Sequence, residues 1–170
     1  NIKDLSDNLK EKVNLDYLYE ENDVLAILIA RVQHFLNLKM FSKKVEIIGP
    51  IKSIITNQLK NQLEIFKKKN DTVDQVVLIP CCIESSFWGG ILLEFKDGNL
   101  TVEYIDPLKK GEHFKKWLDQ IKEVYPDCCL KERVLSKQDN LLNSAAYAIE
   151  NLLLAANINP DDIEKKDTRL

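Results

Sequence analysis

Between residues 76 and 105 the apolar residues leave helical spacing and run in short strand-like blocks. Val76–Ile79, Trp88–Phe95 and Asn99–Ile105 are three such blocks. Asp97-Gly98 separates the last two and is a strong hairpin signal, because a two-residue loop of this kind needs positive φ at its centre. Helical patterns lie on both sides of this middle region. A sheet with helices before and after it must bury its faces against them, which predicts an α+β domain: a mixed central sheet flanked by helices.

The flanks fill in the rest. Residues 1–20 are charged and weakly patterned. Asn22-Asp23 can cap a helix over 23–37, where Val24, Leu25, Leu28, Val32, Phe35 and Leu36 recur at helical spacing. Val45–Ile48 reads as a strand ended by Gly49-Pro50. Ile51, Ile54, Ile55, Leu59, Leu63 and Phe66 predict a second helix, with Lys67-Lys68-Lys69 at its C-terminal end. Phe114, Trp117, Leu118, Ile121 and Val124 predict a third, ended by Pro126, and Cys128–Leu135 a last strand. Asn140 to about Asn157 is apolar over most of its surface, through Ala145, Ala146, Ile149, Leu152, Leu153 and Ala156, so this helix is expected at the centre. Pro160 ends it and a charged tail follows. There is no repeat, low-complexity segment or linker, so residues 1–170 read as a single domain with its core at about 15–157.

Composition excludes several classes. At 170 residues a core can bury roughly 70% of the unfolded surface without a metal or disulfide. The net charge of −3 gives no general drive toward nucleic acid or an anionic membrane. No apolar run approaches the ~20 residues of a membrane span. The first residue is Asn and no signal peptide follows, which suggests a piece excised from a larger protein. The cysteines form two adjacent pairs, Cys81-Cys82 and Cys128-Cys129, without the spacing of zinc or redox sites. They read as small buried hydrophobes in an intracellular, reducing compartment. His34 and His113 both sit in helical patterns and read as helix-face residues. Neither a metal nor a cofactor is expected.

Three stretches have chemical potential. Phe87-Trp88-Gly89-Gly90 opens a strand after the polar loop Glu84-Ser85-Ser86. Asp106-Pro107 ends the next strand. Gln138-Asp139-Asn140-Leu141-Leu142-Asn143-Ser144-Ala145 leads into the apolar helix, where free N–H groups make a ready oxyanion site. Singly, each also reads as ordinary structure: a turn at Asp-Pro, a cap at Asn-Ser.

Their order and spacing resemble the cysteine proteases that cleave ubiquitin-like modifiers, the clan of SUMO proteases, adenovirus protease and bacterial effector deubiquitinases. Ile79-Pro80 matches the strand before that family's His-Trp pair, and Trp88 matches the Trp. Tyr104-Ile105-Asp106 matches the strand that ends on the acid. Gln138 matches the oxyanion glutamine, and Asn143 precedes the nucleophile position at Ser144. Glu150-Asn151, and the early stretch with Tyr17 and Asn22-Asp23, fit as well. The resemblance spans about residues 15–157. It implies a papain-like topology in which the central helix carries the nucleophile position.

The departures fall on the chemistry. Phe87 stands at the base position, Ser144 at the nucleophile position, and Ala145 replaces the following glycine. Of the catalytic set, Asp106 and Gln138 remain. A thiolate is accessible because a thiol pKa near 8.5 can be lowered by an imidazolium, whereas a serine hydroxyl needs a positioned base. Phenylalanine has no ionisable group, and Asp106 then has no imidazole to orient. Loss of the coupled pair typically removes on the order of 10⁶-fold of the rate. The resemblance therefore implies a pseudoprotease acting as a protein-binding or scaffolding module. Its partner would be ubiquitin, a ubiquitin-like modifier or a host protein, met through Phe87, Trp88 and Asn143. Trp88 either lines the family's tail-binding groove or packs against the sheet. Two alternatives stand beside this: a rewired hydrolase or acyltransferase using His34, His113 or one of the cysteines, and a purely structural domain of a larger bacterial effector or toxin. The 21 Lys and 14 Asn reflect AT-rich coding, and with the effector resemblance they suggest an intracellular bacterium or symbiont that secretes the protein into host cytoplasm.

Overall fold

The computed structural model describes residues 21–70, 73–84, 86–106, 111–131 and 144–157. In chain order its elements are α1 (Glu21–Asn37), β1 (Lys44–Ile47), β2 (Ile51–Lys52), α2 (Gln58–Asn70), β3 (Gln75–Ile83), β4 (Phe87–Lys96), β5 (Asn99–Ile105), α3 (Gly111–Val124), β6 (Cys129–Lys131) and α4 (Ser144–Asn157). The sheet runs β1-β3-β4-β5-β6, and β2 pairs with β3 on the side of β1. β3, β4 and β5 form an antiparallel meander, while β1, β2 and β6 join it in parallel. The α+β reading with a mixed central sheet holds.

Strand alternation sorts the core into two layers. Val77, Ile79, Ile91, Leu93 and Val102 face α2 and α3, where Leu59, Leu63, Phe114 and Trp117 cover them. Val76, Leu78, Trp88, Leu92 and Ile105 face α1 and α4, against Leu28, Val32, Ile149 and Leu152. Gly90 lets α4 come close: a Cβ there would lie 2.8 Å from the Leu152 side chain. Gly89, one residue earlier, does the same for the other layer, its missing Cβ falling 2.8 Å from Phe114 Cζ and 2.6 Å from the Ile105 carbonyl.

Several boundaries differ from the sequence reading. β3 continues through Pro80 to Ile83 rather than ending at Ile79. The carbonyls of Leu78 and Cys82 accept from the N–H groups of Ile48 and Ser53, so Pro80 faces the gap between β1 and β2, where Gly49-Pro50 interrupts pairing. A proline loses no ladder bond at such a gap. Ile51 pairs with Cys81 as β2 instead of starting a helix, and Asn57, at φ 59°, marks the break before α2 begins at Gln58. Ile54 and Ile55, expected on the helix face, are exposed in that connection. α1 starts at Glu21, which places Asn22 and Asp23 inside its first turn, and Leu36 in its last turn is exposed. The hairpin is as expected, with Asp97 at φ 53° and Gly98 at φ 80°. The Asp97 N–H donates to Asp74 Oδ1 at 2.9 Å. Among the described residues no helix is long and apolar enough to cross a membrane.

Candidate functional site

The described parts of the three chemical stretches meet at one end of the sheet. β4 begins there with Phe87 and Trp88, β5 ends there just before Asp106, and α4 begins there with Ser144. Register explains the meeting. Cys82 lies opposite Trp88 but gives its carbonyl to Ser53, on the far side of β3. The two are therefore a non-hydrogen-bonded pair, and Trp88 turns its N–H toward β5. The β4–β5 ladder stops at Gly90↔Ile105, before reaching Trp88. Ser144 Oγ takes the place of a strand acceptor, receiving the Trp88 N–H at 3.0 Å.

This bond is buried, with Ser144 2% and Trp88 2% exposed. Of the two readings for Trp88, the structure has it packed, in the α1/α4 layer. Phe87 is half-buried and packs with the α2/α3 layer. Asp106 follows the last paired residue of β5 and is half-buried. Tyr104, two residues earlier, stacks near Phe114 at 5.1 Å, and burial pushes its phenol pKa well up. Gln138 and Asn143, with the stretch 132–143, lie outside the described residues.

Neither histidine stands at the start of β4. His34 is exposed in the last turn of α1, and His113 lies in the first turn of α3, 3.3 Å from Glu84 Oε1. Both are on helices, as expected. Cys81 and Cys82 are buried in β3, and burial pushes the Cys81 thiol up. The second pair is different: Cys128 is half-buried, and Cys129 is exposed on β6, whose three described residues are all exposed. The expectation that both pairs are buried is corrected here for Cys129, while Cys128 packs half-buried against the α2/α3 layer. Sequence reading also missed the grouping of Glu84, Glu112 and His113. Only the Glu112-His113 adjacency was visible, and nothing in the spacing points to Glu84.

Comparison with solved structures gives this arrangement a context. One described as a de-sumoylating protease superposes with TM-score 0.65 at 12% identity, over 93% of this chain and 69% of that one. The Ulp1-like SUMO protease catalytic domain of Chaetomium thermophilum gives 0.58 at 18%, over 85% and 64%. The fold is that of the SUMO proteases. A structure of AvrA with IP6 and CoA also matches, with TM-score 0.50 at 13% identity, over 95% and 62% of the two chains. No protein-family model and no curated protein matches the sequence. In this SUMO-protease fold the strand opening at Phe87, the end of β5 at Asp106 and the helix start at Ser144 are the places the resemblance picked out. At identities this low the likeness carries the fold and leaves the chemistry to the residues themselves.

Proposed function

We propose that this chain is a noncatalytic domain built on the SUMO-protease fold, acting by binding a protein partner. The observation that carries this reading is the buried hydrogen bond from the Trp88 N–H to Ser144 Oγ. At the position where the fold would need a nucleophile, the side chain serves as an acceptor that ties helix to sheet. A nucleophilic hydroxyl needs a base to take its proton, and Phe87 offers none. Asp106 keeps an acid's place, and Phe87 stands where such an acid would orient an imidazole. The cysteines do not substitute: Cys81 and Cys82 are buried in β3, and Cys128-Cys129 sit by the β6 edge. Gln138 and Asn143 complete the degenerate set in this proposal.

The partner class that the fold suggests is ubiquitin or a ubiquitin-like modifier, with a host protein as the broader possibility. With the Trp88 ring packed inside, recognition would fall to Phe87, Asp106 and the surface around them. Titration of labelled ubiquitin and SUMO tests this by fluorescence anisotropy. Saturable binding to one of them is the expected result, and none to either at high micromolar concentration rejects modifier recognition. A modifier carrying a vinyl-type electrophile tests the noncatalytic part. No labelling is expected, and labelling abolished by replacing a single cysteine would establish a working nucleophile instead.

A further inference from the structure

Glu84, Glu112 and His113 meet from two elements that the sequence keeps apart. Glu84 lies in the turn between β3 and β4, and Glu112 and His113 lie in the first turn of α3. His113 Nε2 is 3.3 Å from Glu84 Oε1 and 3.8 Å from Glu112 Oε1. All three ligand atoms fall within 4.8 Å of one another. Zinc ligands held at about 2.1 Å in a tetrahedron are separated from each other by about 3.4 Å. The two separations from His113 Nε2, 3.3 and 3.8 Å, are close to that edge length.

The supports are independent of the cluster itself. The His113 ring packs beside Trp117, with centroids 6.4 Å apart, and its side chain is only 17% exposed. Glu84 is anchored through its own N–H, which donates to Ser53 Oγ at 3.0 Å. Two carboxylates and a neutral imidazole balance a divalent charge, and one nitrogen with two oxygens suits a borderline ion better than Ca²⁺ or Mg²⁺, which prefer all-oxygen shells. An ordinary histidine–glutamate ion pair explains the 3.3 Å contact but does not require the third donor.

We propose that Glu84, Glu112 and His113 form a three-ligand site for a divalent transition-metal ion of the zinc type, with a further coordination position open to water. A bound ion would fasten the turn ahead of Phe87 to α3. It would therefore stabilise the folded state by mass action.

The test uses the full chain, stripped with chelator, on a Cys128→Ser/Cys129→Ser background so that exposed thiols do not compete. Zn²⁺ titrated by calorimetry should bind one ion per chain. His113→Ala and Glu84→Gln should each weaken binding at least about tenfold, since even outer-shell changes cost that much. Glu112→Gln alters an exposed side chain, 77% accessible, and should also weaken binding while leaving the fold intact. Cobalt(II) should give d–d bands without thiolate charge transfer, and these should vanish in His113→Ala. Unchanged Zn²⁺ affinity in both His113→Ala and Glu112→Gln, or no binding once the two cysteines are replaced, overturns the site.

Discussion

Ser144 Oγ receives the main-chain N–H of Trp88 at 3.0 Å, joining the first residue of α4 to the second residue of β4. The bond sits where the β4–β5 ladder has already ended. A buried N–H without an acceptor is costly, so a polar side chain at the helix start is a structural requirement of this strand arrangement. Under the proposed function the same oxygen stands at the nucleophile position, so that structural use and catalytic use would compete for one atom.

Ser144→Ala should destabilise the domain by about 1–3 kcal/mol, the usual penalty for leaving a buried donor unsatisfied. Urea unfolding followed by tryptophan emission would read this, because Trp88 and Trp117 are both buried. An unchanged midpoint would mean that the Trp88 N–H has another acceptor.

Gly89→Ala should be more damaging than Gly90→Ala. At position 89 a Cβ meets a backbone carbonyl, that of Ile105, at 2.6 Å, and a carbonyl within the ladder has little room to yield. At position 90 it meets only the Leu152 side chain, at 2.8 Å. Overpacking of this kind costs about 1–3 kcal/mol. In a double-mutant cycle, Leu152→Ala should relieve part of the Gly90→Ala loss and none of the Gly89→Ala loss. Equal penalties at 89 and 90, or no coupling to Leu152, would refute the assignment.

Thiol reactivity should follow exposure. With iodoacetamide at neutral pH and peptide mapping by mass spectrometry, Cys129 should be alkylated first and Cys128 more slowly, its pKa raised chiefly by burial. Cys81 and Cys82 should react only when the chain unfolds. Early labelling of Cys81 would show that β3 opens at its C-terminal half.

Much of this fold was legible because local signals and tertiary demands agree. The Asp97-Gly98 turn, the α3 stripe from Phe114 to Val124 and the apolar α4 each want the state they adopt. Ile51, Ile54 and Ile55 mimic helical spacing, yet Ile51 is recruited into the sheet at the interruption between β1 and β2, which no local pattern announces. Pro80 misled for the related reason that its missing N–H faces that same interruption. At the site, identities were readable and geometry was not. The sequence placed Phe87, Asp106 and Ser144 at element ends, but the hydrogen bond to Trp88 depends on where the β4–β5 register stops. The Glu84–His113 contact depends on how α3 lies against a turn 29 residues away along the chain.

Stability should fall as pH rises above about 9. Burial raises the thiol pKa of Cys81 well above its ordinary 9.0, and raises the phenol of Tyr104 above its ordinary 10.0. Both groups are neutral when folded, and the unfolded chain gives up their protons first. A folded pKa above the unfolded one gives stability that is complete below the unfolded value and is lost as pH climbs toward the folded value. The loss should begin near the ordinary thiol value and steepen near that of the phenol. Urea midpoints measured from neutral pH to about pH 10.5 would trace it. Cys81→Ala should make the first part of the decline shallower while lowering stability at neutral pH through lost packing. A decline that is just as steep without the thiol would show that Cys81 is not its source.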